Sequence, residues 1–169
     1  MKGYFGQTAE FYQPTPANLE ILLPAIDMAI PATSGKLALD LGCGKADYLP
    51  LLVQKGYVYT GLDVSNIMLD IAKSRYPNAQ FVLGSAIDMS SLFDHKFDLI
   101  LINMLLLHCE TKEEICQILT QASKILSDDG SIVVGIPHPC FDSYMRGNLF
   151  DQFDVSEKFS GYFSSGQKY

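Results

Sequence analysis

Apolar residues occur along this chain in two alternating patterns. Short continuous apolar runs, typical of strands buried on both faces, alternate with segments in which apolar residues recur every three or four positions, typical of helices that face a core. The runs predict five strands, at residues 37–41, 57–62, 81–83, 97–102 and 131–136. Strands separated by helices predict an α/β fold: a doubly wound, mostly parallel sheet with helices on both faces.

Local signals predict where the helices begin. Thr15-Pro16 is expected to cap and start the first helix, and the second is expected over residues 46–55. Ser65 is the expected cap of the third helix, and the Thr-Lys-Glu-Glu sequence at 111–114 fits a capping box for the fourth. The Ser-Asp-Asp-Gly sequence at 127–130 predicts a turn into the fifth strand.

The end of the first predicted strand carries the most informative residues. Gly42 and Gly44 follow its apolar run, and neither has the Cβ that would stop a ligand from approaching the backbone. Asp40 lies near the end of the same strand and is expected to face the crevice there. This pattern predicts a nucleotide or nucleoside site.

Acidic residues also follow the next two strands. Asp63 closes the second strand, where a carboxylate can accept hydrogen bonds from both hydroxyls of a ribose. Asp88 follows the third strand, where it can accept from the amino group of an adenine. A purely structural interpretation is open for each acid: Asp40 and Asp88 as helix caps, and Asp63 as a companion of the Ser65 cap.

Composition and charge exclude several kinds of partner. The 169 residues carry a formal net charge of −7, which disfavours binding to nucleic acid or to an anionic membrane surface. The longest apolar stretch, residues 99–107, is too short to span a bilayer. The four cysteines form no CxxC pair, so we expect no metal site, and we expect reduced thiols in a cytoplasmic protein.

Charge near the glycines distinguishes between nucleoside ligands. Asp47 occupies the position of the third glycine in the dinucleotide fingerprint, and a carboxylate there would repel a phosphate. Asp40 is equally unsuited to an anion. Both acids suit S-adenosylmethionine, which carries an ammonium and a sulfonium and no phosphate, so this cofactor is favoured over NAD.

Five motifs resemble those of class I S-adenosylmethionine-dependent methyltransferases, and the small-molecule branch of that family is the most similar. They lie at residues 39–44, 61–69, 85–88, 97–108 and 126–131, within a likeness that covers roughly residues 12–136. The resemblance implies a Rossmann-like sheet with strand order 3-2-1-4-5. It also implies that Asp63 holds the ribose, that Asp40 lies near the methionine moiety, and that Asn103 and Met104 lie near the sulfonium.

The complete set of residues expected to contact the cofactor follows from these motifs. It comprises Asp40, Gly42, Cys43, Gly44, Asp63, Val64, Met68, Ser85, Ala86, Ile87, Asp88, Asn103 and Met104. Tyr4, Phe5 and Tyr12 match an aromatic N-terminal segment that, in the family, often folds over the cofactor.

The expected reaction is an in-line transfer of a methyl group to a small-molecule acceptor, in which positioning supplies much of the acceleration. A general base is needed only if the acceptor loses a proton. The candidates are His108, His138 and Tyr12, and a structural role for His108 stays open. Asn103 lacks the Pro-Pro-aromatic continuation of enzymes that methylate the amino groups of bases and glutamine, which disfavours that acceptor class.

The chain departs from the family pattern in two places. Lys45-Ala46 replaces the usual Thr-Gly or Ser-Gly, and Ala46 is expected to be tolerated if its backbone is helical. Residues 1–136 are expected to form the cofactor-binding core, and the aromatic-rich tail, residues 137–169, replaces the usual C-terminal helix and hairpin. We expect the tail to be a substrate cover or an interface, or the chain to be truncated, and a homodimer through strand five or the tail is a further hypothesis.

Two other functions remain open at this stage. A catalytically silent protein that binds S-adenosylmethionine, or that acts as an assembly partner, would keep the glycine turn and lack an acceptor pocket. An NAD-dependent oxidoreductase is the other alternative, and Asp47 disfavours it.

Overall fold

The computed structural model describes residues 18–136, and these form a sheet of five strands with four α-helices. A π-helical turn (Asn18–Leu22) leads into the first helix. The α-helices are α1 (Leu23–Ala29), α2 (Leu49–Gln54), α3 (Asn66–Arg75) and α4 (Lys112–Ile125). The strands are β1 (Leu37–Leu41), β2 (Val58–Asp63), β3 (Gln80–Leu83), β4 (Phe97–Asn103) and β5 (Leu126–Gly135). Two short 3₁₀ helices span Ala86–Ser91 and Leu106–His108.

The strand order is β3-β2-β1-β4-β5, and every pairing is parallel. This confirms the predicted fold class and strand order. The chain fills the sheet outward from β1 to β3 and then returns to place β4 on the other side of β1. In such a sheet a ligand is expected in the crevice beyond the carboxyl ends of β1 and β4. The loops after β1, β2, β3 and β4 all meet at that edge.

Apolar residues pack on both faces of the sheet, because each central strand is buried on both sides. On one face, α1, α2 and α3 contribute Ile26, Leu52 and Leu69 to a cluster with Leu99 and Leu101 of β4. The opposite face is covered by α4 and the first 3₁₀ helix, and its buried residues include Leu39, Met89, Ile100, Ile118 and Ile125. The two layers hold the strand ends, and hence the loops, in fixed positions.

The helix caps follow the sequence prediction in part. Ser65 Oγ accepts a hydrogen bond from Met68 N at 3.3 Å and caps α3. Thr111 Oγ1 accepts from Glu114 N at 3.2 Å and caps α4. In a capping box the Glu114 side chain would accept from the amide of Thr111. Here it accepts instead from the amide of the preceding residue, Glu110, at 2.8 Å.

Two elements begin several residues from where they were predicted to begin. The second helix begins at Leu49 instead of near residue 46, because Ala46 has a φ of +61° and cannot belong to a right-handed helix. β5 already begins at Leu126, so the predicted turn at 127–130 is an irregularity of the strand, where its register shifts opposite residues 97–99. The predicted helix start at Thr15-Pro16 lies outside the described residues.

Within the part of the chain that is described, no helix is long and apolar enough to cross a membrane. The tail at 137–169 lies outside this part, and so do Tyr4, Phe5, Tyr12 and His138.

Candidate functional site

The loop after β1 is hydrogen-bonded to the end of β2. The amides of Gly42 and Cys43 both donate to Leu62 O, at 2.8 and 3.1 Å. Gly42 and Gly44 have φ values of +76° and +52°, a left-handed conformation that glycine adopts at little cost. The loop therefore turns sharply while its backbone stays close to β2.

Asp63 connects this loop to the start of α3. Its Oδ2 accepts from Gly44 N at 2.9 Å, and its Oδ1 accepts from Ser65 N at 2.8 Å. Each carboxylate oxygen has a second lone pair, so both oxygens can still accept from a ligand. The companion role for Asp63 at the Ser65 cap is therefore confirmed, and it is compatible with binding a ribose.

A pocket of about 230 Å³, including its open mouth, lies beside Asp63. Four of its lining residues were expected from the sequence: Gly42, Asp63, Val64 and Ala86. The sequence prediction missed Leu62, Gly84 and Leu105, which complete its walls. Gly84 directly follows β3 at the same edge, a signal that could have found it, whereas Leu105 is brought over Gly42 only by the fold.

Ser85 and Asp88 lie on the loop after β3. Ser85 Oγ accepts from Ile87 N at 3.3 Å, so Ser85, and not Asp88, caps the short 3₁₀ helix. The capping interpretation of Asp88 is therefore wrong. Asp88 is exposed in the first turn of that helix, and Ala86, two residues before it, lines the pocket.

Asp40 is buried in the sheet and does not lie open at its edge. β1 continues to Leu41, and Asp40 is in register with Gly61 on one side and Leu101 on the other. Tyr59 Oη donates to Asp40 Oδ2 at 3.0 Å. Burial raises the pKa of Asp40 to about 7, although the Tyr59 hydrogen bond opposes this and Asp63 and Asp47 add to it. Both earlier interpretations, a helix cap and a side chain facing the crevice, therefore require correction.

Asp47 is paired with a cation instead of presenting an isolated charge. Arg75 Nη1 lies 2.6 Å from Asp47 Oδ1. The two acids therefore disfavour a phosphate less than the sequence predicts, because Asp47 is neutralised by Arg75 and the pKa of Asp40 is raised to about 7.

Asn103 and Met104 lie at the carboxyl end of β4. Asn103 is nine-tenths buried, and its Oδ1 has no hydrogen-bond partner among the described residues. Met104 has a φ of +56°, and its amide donates to Gly135 O at 2.8 Å. A Cβ at Gly135 would collide with Asn103 Oδ1, so any other residue there would displace this side chain. The arrangement leaves a buried acceptor at the strand end.

The remaining expected residues occupy different environments. His108 is half-buried after β4, and burial lowers its pKa against an opposing effect of Asp63. Cys43 is buried, and burial raises the pKa of its thiol, which therefore stays protonated. Met68 is buried in α3. Two of the candidate bases, His138 and Tyr12, lie outside the described residues.

Residues of β1, β2, β4 and β5 match a known protein family. The model of a family described as a methyltransferase domain matches residues 39–134, which include the glycine loop, Asp63, β4 and most of β1 and β5. The chain belongs to this methyltransferase family. The predicted methyltransferase family is confirmed, and so is the strand order expected of its class I members.

Individual proteins that are similar to this chain have low sequence identity to it. The Bacillus subtilis (strain 168) protein YqeM is 29% identical over 101 residues, which are 58% of this chain and 41% of YqeM. The solved structure of PH0226 from Pyrococcus horikoshii OT3 is 26% identical with a TM-score of 0.61, over 74% of this chain and 64% of that one.

An S-adenosylmethionine-dependent methyltransferase from Archaeoglobus fulgidus has the same fold, with a TM-score of 0.62 at 21% identity, over 75% of this chain and 58% of that one. The chain thus spans less than two thirds of the length of each of these three proteins.

Proposed function

We propose that this chain binds S-adenosylmethionine at the carboxyl edge of β1, β2 and β4 and transfers its methyl group to a small-molecule acceptor. The observation that carries the proposal is the position of Asp63. Its carboxylate lines the pocket, is fixed by the amides of Gly44 and Ser65, and retains a lone pair on each oxygen.

The pocket beside Asp63 suits the adenosine part of the cofactor. Two neighbouring ribose hydroxyls match a carboxylate whose orientation is already set, because little further ordering is needed on binding. Leu62, Val64, Ala86 and Leu105 offer apolar walls for an adenine ring. We assign the amino group of that ring to Asp88, which is exposed on the adjoining helix.

The end of β4 suits the methionine part of the cofactor. Asn103 Oδ1 is a buried acceptor without a partner among residues 18–136, and an ammonium donor would satisfy it. Asp40 lies buried in the neighbouring strand and stabilises this end through its negative charge when it is ionised.

Catalysis follows from positioning. The bound cofactor supplies a methyl carbon activated by its sulfonium. The chain holds the loop after β1, packs apolar walls that exclude water, and fixes the direction from which an acceptor approaches. Burial lowers the pKa of His108 and so favours the neutral imidazole, the form that can accept a proton from an acceptor that must lose one.

A catalytically silent cofactor-binding protein, or an assembly partner, is the second candidate. The specific observation in its favour is that the residues lining the pocket beside Asp63, such as Gly42 and Ala86, are those assigned here to the cofactor. The pocket therefore supports binding of the cofactor and does not by itself support transfer to an acceptor.

A methyl-transfer assay separates the two candidates. The chain is incubated with methyl-labelled S-adenosylmethionine and a panel of small amines, alcohols and thiols, with duplex DNA and RNA as further acceptors. The proposal expects label on a small molecule, and less label with His108→Gln if the acceptor loses a proton. Tight binding of S-adenosylhomocysteine without any transfer would favour the silent protein, and transfer to DNA or RNA would contradict the acceptor class.

A further inference from the structure

The loop after β1 is held not only by the end of β2 but also by one residue of α3, Arg75. Arg75 is the last residue of this helix, and its Nη1 donates both to the main-chain carbonyl of Lys45, at 2.7 Å, and to Asp47 Oδ1, at 2.6 Å. Nη2 lies 3.4 Å from Tyr76 Oη. The guanidinium therefore contacts the residues directly before and after Ala46.

Ala46 is the strained residue of the loop. It has a φ of +61°, which places its Cβ close to the following carbonyl oxygen, so residues other than glycine rarely adopt it. Its methyl group is fully buried in the cluster beneath α2. Burial of the methyl favours alanine at this position, whereas the backbone conformation favours glycine.

We propose that Arg75 is a positioning residue that holds the loop in its cofactor-binding conformation by fixing both neighbours of left-handed Ala46. An arginine suits this role because its planar fork reaches a carbonyl and a carboxylate together, which the single ammonium of a lysine does less well. The pair with Asp47 is partly exposed and therefore screened by solvent, so its effect falls on the geometry of the loop and little on the stability of the fold.

The first test measures affinity for S-adenosylhomocysteine by calorimetry in Arg75→Met and in a matched control, Lys73→Met. Lys73 is exposed in the last turn of the same helix and carries the same charge. This arm rests on the proposed function. We expect binding to weaken about tenfold with Arg75→Met and to be unchanged with Lys73→Met, while all three proteins unfold at the same urea concentration. An equal affinity for wild type and Arg75→Met would overturn the proposal.

The second test asks whether Arg75 acts through Ala46. In an Ala46→Gly background the left-handed conformation no longer needs support, so Arg75→Met should weaken binding only about two- to threefold. The same tenfold loss in both backgrounds would show that Arg75 does not act through Ala46 and would overturn the proposal.

The third test does not depend on the cofactor. Hydrogen exchange of the ligand-free chain should show faster exchange at the amides of Gly44 and Ala46 in Arg75→Met than in Lys73→Met, with the amides of β4 unchanged. This result would support the role of Arg75 even if S-adenosylhomocysteine did not bind, in which case the proposed function would fail alone. Unchanged exchange at these two amides would overturn the proposal.

Discussion

At the scale of single residues, the buried carboxyl of Asp40 is the most unusual group in the site. It is 2% exposed, and its hydrogen-bond partner, Tyr59 Oη, comes from the neighbouring strand. Charge is costly in such an environment, which is why its pKa is raised to about 7. At neutral pH, Asp40 therefore titrates in the folded chain while it is fully ionised in the unfolded one.

This difference predicts how stability depends on pH. Because the folded-state pKa is raised, the stabilisation associated with protonated Asp40 is fully present below pH of about 4 and is lost as pH rises through about 7. Asp40→Asn keeps an acceptor for Tyr59 and removes this titration. The difference in unfolding free energy between Asp40→Asn and wild type should therefore increase, in favour of the variant, by roughly 2–3 kcal/mol from pH 5 to pH 8.

Urea unfolding of both proteins at the two pH values measures this gain. A difference between wild type and Asp40→Asn that stays constant from pH 5 to pH 8 would contradict the raised pKa of Asp40.

The two loop glycines should differ in their tolerance of a side chain. A Cβ at Gly42 would lie 3.0 Å from Leu105 Cδ1, whereas a Cβ at Gly44 would meet nothing within 4 Å. Both have positive φ, so each alanine substitution costs about 1 kcal/mol from the backbone alone, and Gly42→Ala must also displace Leu105. Gly42→Ala should therefore be the more destabilising variant by urea unfolding, and the reverse order would contradict the packing of Leu105.

At the scale of elements, α4 illustrates the contribution of a cap. Thr111 Oγ1 satisfies the amide of Glu114, and the helix packs Ile118, Ala122 and Ile125 on the sheet. Thr111→Ala should reduce the unfolding free energy by about 1 kcal/mol, since one amide loses its partner. Thr120→Ala, on an exposed turn of the same helix, is the control. Equal losses in the two variants by urea unfolding would contradict a specific capping role.

The elements themselves follow closely from the apolar pattern. The strand starts and ends match within a residue or two for β1 to β4, because continuous apolar runs are typical of strands covered on both faces. The predicted start of α2 was wrong because nothing about an alanine at position 46 indicates a left-handed conformation. The start of β5 was wrong because Asp128-Asp129-Gly130 has turn composition, yet forms an irregularity within the strand.

The site was predictable where a residue lies at the end of a strand or within a few residues of it. Gly42, Asp63 and Ala86 line the pocket as expected, since parallel strands bring their carboxyl ends to one edge. The contacts of Tyr59 with Asp40 and of Arg75 with Asp47 were missed, because they join residues 19 and 28 positions apart through side-chain directions that periodicity does not encode.

At the scale of the whole molecule, β5 is an edge strand of the sheet that residues 18–136 form. Among residues 18–136, this strand pairs with β4 alone, and Val134 and Ile136 near its end are exposed. Such an edge invites pairing with another chain. The homodimer considered from the sequence stays a prediction, and so does the role of residues 137–169.

The dimer hypothesis predicts a concentration-dependent mass. By light scattering, the molar mass of the wild type should rise from that of a monomer to that of a dimer as the protein concentration increases. In Val134→Lys this rise should occur at higher concentration, because a charge on the exposed edge opposes pairing. Val53→Lys is the matched control, since Val53 is similarly exposed but lies on α2. A wild type that stays monomeric at every concentration would contradict the hypothesis.

Calorimetric titration of S-adenosylhomocysteine into the wild type, Asp63→Ala and Asp70→Asn tests whether Asp63 holds the ribose of the cofactor. Asp70 is an exposed acid on α3 that bonds only to Asn66 among the described contacts, so it controls for lost charge. Binding should weaken by about 1–3 kcal/mol in Asp63→Ala, because ribose hydroxyls and the amide of Gly44 lose their acceptor, and it should not change in Asp70→Asn. Equal affinity in wild type and Asp63→Ala, or binding of NAD in place of S-adenosylhomocysteine, would contradict it.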